Sequence, residues 1–231
     1  MTDLYLYALA RESPGVDLGS GLAGEPLRWL GAGTPGAIVG EAGEKPAVTP
    51  EALAAHDAVI QRLAGSLPAL LPARFGQTIS DEADLLTWLS TRRKELEEAL
   101  ALVDGCVQMT LRVFAGADAP REVAPPQTPD ESLGPGARYM QARREAAARA
   151  KALPEIAPLR EALRPLLRAE RVERPSSAAS GRLRATAYDL VKRGEAETYT
   201  RVVAEAAPHL GVWKVTATGP WPPYAFAPAL S

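Results

Sequence analysis

No long element can run uninterrupted through this chain, because 21 prolines and 19 glycines cut its 231 residues into short segments. Proline removes a backbone donor and fixes φ, so it belongs at the edges of elements rather than in their middles. Glycines recur every few residues from Gly15 to Gly43, and prolines concentrate in the second half. No apolar run therefore reaches the ~20 residues that a membrane-spanning helix needs. What remains is an alternation of short strands and helices, in a chain long enough for two small domains.

The segments have distinct periods. Leu4 to Leu9 is apolar and aromatic, which predicts a central strand buried on both faces. Short strands near Leu27 to Leu30 and Ala37 to Val39 suit a hairpin. Thr49-Pro50-Glu51 has the capping hydroxyl, first-turn proline and first-turn acid of a helix start, followed at helical spacing by Leu53, His56, Ile60 and Leu63, with an end near Gly65. Leu70 to Phe75 reads as a returning strand. Ser80-Asp81-Glu82 opens one longer helix with Leu85, Leu89, Leu96, Leu100 and Val103 on a single face, stopped by Gly105. Val107, Met109, Leu111 and Val113 then alternate with Gln108, Thr110 and Arg112 as in a strand with one core face. This order predicts an α+β fold, with helices packed on one face of a mainly antiparallel, ferredoxin-like sheet.

Four prolines between Ala115 and Asp130 read as a linker, so the expected division is an N-terminal α+β domain over 1–116, a Pro-rich linker over 117–130 and a smaller α+β domain over 131–231. In the latter a kinked helical stretch runs from about Gly136 to Arg171, carrying Ile156, Leu159, Leu163, Leu166 and Leu167. After a flexible turn at Arg174 to Gly181 come a strand over Leu183 to Val191, a helix over Glu195 to Ala207 and a strand over Val212 to Thr218.

Catalytic chemistry leaves few traces. The chain has two histidines and one cysteine. His56 sits on an apolar stripe, as a satisfied core histidine does, and His209 sits at a helix end. Cys106 has no partner for a disulfide or a Cys-x-x-Cys zinc pair and is expected to pack as a small apolar group. The absence of a signal segment after Met1 and the lone cysteine point to a cytoplasmic setting. Gly31-Ala-Gly33-Thr-Pro-Gly36 lacks the Gly-Lys-Ser/Thr ending of a phosphate loop. Arg143, Arg144 and Arg149 have Glu145 beside them and acids elsewhere, as on a solvated helix face, and a net charge of -2 draws no nucleic acid. No enzyme, cofactor or metal site is expected.

Four motifs, in order, are similar to those of the gas vesicle protein F/L family. Tyr5-Leu6-Tyr7-Ala8 resembles its first strand. Leu71-Pro72-Ala73-Arg74-Phe75-Gly76-Gln77-Thr78 resembles "LPLRFGT", with Ala73 for a bulkier residue and Gln77 inserted. Gly134-Pro-Gly136-Ala-Arg138-Tyr139-Met140-Gln-Ala-Arg143 resembles "PGxxYLxxR". Gly219-Pro220-Trp221-Pro222-Pro223-Tyr224-Ala225-Phe226 is close to "GPWPPYSF", with Ala225 for serine. The strand after Gly105 departs from relatives, which show Gly-Lys followed by Glu and an aromatic. The resemblance implies a two-domain α+β accessory protein of gas vesicles, with a ferredoxin-like N-terminal domain. Its implied partners are the small hydrophobic shell protein and other assembly factors, with no nucleic acid.

The terminal segment interleaves rings with prolines. It is excluded from a sheet interior and must lie along a surface, where the rings either cover the protein itself or meet a partner. Arg74, Phe75, Trp221, Tyr224 and Phe226 are the candidate interaction residues. Arg74 has two readings, a pair with Asp81 or Glu82 and a contact with a partner. A different class of function remains open, a small α+β enzyme or ligand-binding module with an inter-domain pocket, which would need His56, Arg74 and carboxylates to converge.

Overall fold

The structure is a computed structural model and describes residues 3–11, 15, 17–31, 33, 35–41, 43, 46–119, 153–175 and 182–228. Residues 120–130 of the expected linker, the motif Gly134 to Arg143, Arg144 and Arg149 lie outside the described residues, as do 136–152 of the expected helical stretch. Contacts within the chain divide it into two compact units. One is Met1–Gln108 with Leu190–Arg193 and Pro220–Ser231, and the other is Met109–Asp189 with Gly194–Gly219.

The first unit is built on strands β1 (Leu4–Ala10), β2 (Arg28–Leu30), β3 (Gly36–Glu41), β4 (Leu70–Pro72) and β5 (Thr78–Ile79). They form an antiparallel sheet in the order β2-β3-β1-β4, with β5 also paired to β1. β1 is central and buried throughout, as its run of apolar residues and tyrosines predicts. Its register against β3 passes from Leu6 opposite Val39 to Ala8 opposite Ile38, so Tyr7 is the extra residue of a bulge. β2 and β3 form the expected hairpin, and the glycines between them serve its turn. Trp29 lies over Gly36 so closely that a Cβ there would collide with the indole.

Helix α1 (Pro50–Ser66) starts as expected, with Thr49 Oγ1 accepting from the Ala52 N–H at 3.2 Å. It buries His56, Val59, Ile60 and Leu63 against a cluster containing Tyr5, Tyr7, Ala8, Ile38 and Leu70. Leu53 belongs to the same sequence stripe but is 42% exposed, because burial along α1 begins only at His56, one turn inside the helix.

The single helix expected after Ser80 is two, α2 (Glu82–Thr91) and α3 (Arg93–Val103), broken at Arg92 with φ -102° and ψ 13°. Ser90 Oγ and Thr91 Oγ1 both donate to the Thr87 carbonyl at 2.8 Å, and such back-bonding competes with the helical ladder and bends it. Asp81 caps α2 through the Asp84 N–H at 2.7 Å. All five leucine and valine positions read from the sequence are nevertheless buried, because the break preserves the face.

A second sheet contains β6 (Cys106–Ala115), β7 (Leu167–Glu173), β8 (Leu183–Lys192) and β9 (Trp213–Trp221), in the order β7-β8-β6-β9. Gln108 and Thr110 are buried along with Met109 and Leu111, so β6 is covered on both sides over those positions.

In the second unit, helices α4 (Ala157–Leu163) and α5 (Ala196–Ala206) pack together and bury Leu159, Leu163, Tyr199 and Val203. The expected helix does not reach Arg171. It passes through a 3-10 turn at Arg164–Leu166 and becomes β7, because Pro165 cannot supply the N–H that another α-helical turn requires. The remaining strand, helix and strand fall where the sequence periods put them. The whole is an α+β fold with two sheets and short helices.

Candidate functional site

Two tyrosines at alternate positions of β1 organise the first unit. Tyr5 and Tyr7 have ring centroids 4.8 Å apart, and His56 of α1 stacks on Tyr7 at 5.8 Å while meeting Tyr5 edge-on at 5.7 Å. The Tyr5 hydroxyl accepts from the Gly76 N–H at 2.8 Å and donates to His56 Nδ1 at 3.1 Å. His56 Nε2 lies 3.3 Å from the Ala73 carbonyl. A carbonyl can only accept, which assigns the proton to Nε2 and leaves Nδ1 free to receive the tyrosine. Gly76 takes φ +76° in the turn between β4 and β5, a conformation that suits glycine.

Both nitrogens of His56 are thus spent inside the fold. Burial holds its pKa below the ordinary 6.5, partly offset by the Ala73 carbonyl and by Asp57. The unfolded chain accepts this proton more readily, so the stability from neutral His56 is complete above 6.5 and is lost as pH falls through the lower folded value. Denaturation curves taken from about pH 8 to about pH 5 should show a steeper loss for the native chain than for His56→Gln. Parallel losses would remove His56 from the account.

The hydroxyl of Tyr7 holds a surface loop. It donates to Glu25 Oε1 and accepts from the Leu22 N–H at 2.8 Å, while Glu25 Oε2 accepts from the Ala23 N–H at 2.9 Å. Arg62 of α1 donates to the carbonyls of Leu18 and Ser20.

The terminal segment closes on this same core. β9 ends at Trp221, Pro222 and Pro223 are buried, and Tyr224–Phe226 forms a 3-10 turn rather than continuing extended. Tyr224 Oη donates to Asp57 Oδ1 at 2.9 Å, and Gln61 Nε2 donates to Asp57 Oδ2 at 2.6 Å. The Ala225 N–H donates to Gln108 Oε1 at 2.8 Å. Burial and the Asp57 carboxylate both push the Tyr224 hydroxyl pKa up, so it stays a donor.

The candidate residues are therefore divided. Phe75 and Tyr224 both border the Tyr5 and His56 core, Phe75 with its ring edge-on to His56 at 5.6 Å. Phe226 is buried. Trp221 is 38% exposed and stands over a groove lined by α1, the start of β6 and Arg193. Arg74 is exposed and pairs with neither proposed acid, since Glu82 is engaged by Arg28 at 3.0 Å and Asp81 caps α2. His56, Arg74 and carboxylates do not converge on one another. Sequence reasoning missed Asp57, Gln61, Gln108 and Arg193. The polar pair Asp57 and Gln61, spaced i,i+4 on one side of α1, was the available signal for the first two.

The second unit has a buried ionic group of its own. Asp189 is fully buried on β8, and its Oδ2 accepts from Arg160 Nη1 at 2.9 Å and from Tyr199 Oη at 2.6 Å. Arg160 also pairs with Glu170. Burial raises the Asp189 pKa, and Arg160 and Tyr199 oppose that shift. A cleft of about 340 Å³ lies beside Arg160 and Glu170, both already paired. Among the described residues no group of three or more His, Cys, Asp or Glu is placed to hold a metal ion, and no helix is long and apolar enough to cross a membrane.

Comparison with known proteins agrees in fold and in sequence. Crystal structures of gas vesicle protein GvpF from Anabaena sp. PCC7120 and from Microcystis aeruginosa each superpose with a TM-score of 0.73, at 16% and 17% identity. The first match covers 100% of this chain and 98% of that one, and the second covers 99% and 100%. Gas vesicle protein L of Streptomyces sp. (strain CB03234) is 31% identical over 249 residues, covering 96% of this chain and 92% of that protein. The family model for gas vesicle synthesis protein GvpL/GvpF matches residues 3–228, which includes β1, the turn at Arg74 to Gly76 and the Trp221 to Phe226 segment. The chain belongs to the GvpL/GvpF family of gas vesicle synthesis proteins.

Proposed function

We propose that this chain is a cytoplasmic, non-enzymatic accessory protein that binds the gas vesicle shell protein and other assembly factors while the vesicle wall is built. The observation that carries this reading is Trp221, a large ring left 38% exposed at the end of β9 and framed by three prolines. An exposed tryptophan on a restrained backbone loses little conformational entropy when a partner covers it, and such rings dominate binding energy at protein interfaces. Family membership supports the setting. Tyr224 and Phe226 act in this scheme as the anchor that holds the ledge, and Arg74 and Phe75 offer a second contact at the turn after β4.

A pull-down with the tagged chain from cells expressing the vesicle gene cluster is expected to recover shell protein or assembly proteins. Trp221→Ala should weaken that recovery without loss of folding. Tyr224→Ala should weaken it by releasing the tail from Asp57, with a cost of about 1–3 kcal/mol from the lost hydrogen bond to a charged group. Recovery of no vesicle protein under mild conditions, together with unchanged vesicle yield in both variants, would refute the reading.

A further inference from the structure

We infer that the groove beneath Trp221 receives a helix or turn of a partner polypeptide that presents one large apolar side chain beside a carboxylate. This rests on the partner-binding function proposed above and assigns a surface to it. The groove lies within the first unit, between the last turns of α1 at Ala64 and Gly65, the start of β6 at Val107, and the Trp221 to Pro223 segment. Its volume is about 190 Å³. A cavity of about 150 Å³ accepts one benzene ring, whereas pockets for small-molecule ligands run from roughly 300 to 1,000 Å³. One leucine or aromatic side chain fits this scale.

Charge selects among such occupants. Arg193 is the only charged side chain among the residues lining the groove, and it is exposed. Its Nη2 donates to the Ala64 carbonyl at 2.9 Å, a bond that fixes the guanidinium at the rim near the end of α1. The other guanidinium N–H groups have no acceptor among the described residues, so a carboxylate next to the buried apolar group would complete the site.

Gly65 leaves room at the rim, in the last turn of α1, where a glycine ends a helix readily. Its φ is not positive, and a Cβ built on it would meet nothing within 4 Å. Neither the backbone nor the packing of the free chain requires a glycine there. Its missing side chain keeps the rim open. The mode of recognition also follows, because Pro220, Pro222 and Pro223 carry no N–H. A partner cannot extend the sheet along this segment and must be read through its side chains.

The test applies the full-length chain to overlapping peptides spanning the shell protein and the other products of the same vesicle cluster, with affinities measured by fluorescence anisotropy. Gly65→Leu fills the rim at a position with space for a side chain, so it should fold at least as well as the native chain. Peptides that bind are expected to carry a large apolar residue adjacent to Asp or Glu. Gly65→Leu, Arg193→Glu and Trp221→Ala should each weaken them by roughly tenfold or more. Arg201→Glu on α5 should leave them unchanged, and replacing the peptide's acid by lysine should restore affinity to Arg193→Glu. Binding that is indifferent to all three groove variants would reject the groove while leaving the function standing. Self-association abolished by Gly65→Leu, without peptide binding, would reject it in favour of a second copy of the chain. Absence of any peptide binding, with vesicle yield unaffected by the groove variants, would reject both.

Discussion

Replacing Arg160 with alanine is expected to destabilise the second unit by about 3–5 kcal/mol, because it strands a buried carboxylate. Asp189 is fully buried, and of its two oxygens only Oδ2 is hydrogen-bonded, to Arg160 and Tyr199. Removing the guanidinium leaves one tyrosine hydroxyl to support the charge. The carboxyl pKa is already raised by burial with Arg160 present, and losing the guanidinium that opposes this shift should raise it further. A raised acid pKa makes the folded form the stronger proton binder, so the deficit is largest at neutral pH and narrows as pH falls towards the ordinary value of 3.8. Replacing Arg160 and Asp189 together with apolar residues of similar size, and Tyr199 with phenylalanine so that no buried hydroxyl is stranded, should recover most of the loss, since the group gains little over a packed hydrophobic contact. Denaturant titration at two pH values tests all three statements. A single-variant loss below about 1 kcal/mol, the size of an exposed ion pair, would show that Asp189 is not held in the way described.

Tyr7→Ala should cost a similar amount, about 3–5 kcal/mol, for a different reason. The ring is fully buried at the centre of β1, packed on Tyr5 and stacked on His56, and its removal opens a cavity that the sheet cannot close around. The hydroxyl adds a local effect, since it accepts the Leu22 N–H and donates to Glu25. Tyr7→Phe separates the two contributions. It should keep most of the packing, cost about 1 kcal/mol, and accelerate amide exchange at Leu22 and Ala23 relative to the β1 amides. Equal exchange in native and phenylalanine chains would mean that the loop is held by Arg62 alone. Because Tyr224 packs on the same cluster, Tyr7→Ala should also loosen the tail and lower partner recovery, whereas Tyr7→Phe should not.

Most element positions were legible from local rules. The Thr49 cap, the buried face of α2 and α3 and the strand at β6 each depend on neighbours a few residues away. The failures occurred where local cues were balanced. The helix face over 82–103 continued through Arg92, while two hydroxyls compete for one carbonyl just before the break in the axis. The leucine stripe ran into β7, where Pro165 ended the α-helix and left residues 167–173 to pair with β8. For the candidate site, the sequence marked the rings but could not rank their exposure. Phe226 and Trp221 have similar neighbours along the chain, yet one is buried and the other stands over the groove.

By itself the sequence determined the α+β class, the placement of most segments and the kinship, because periodicity, capping and motif order are properties of adjacent residues. Tertiary structure alone decided that Tyr224 would find Asp57, 167 positions away, that Ala225 would meet Gln108, and that Arg193 would reach the end of α1. The physical reason is that burial and hydrogen-bond partnership are set by which surfaces the fold brings together, and no local spacing encodes a distance across the chain.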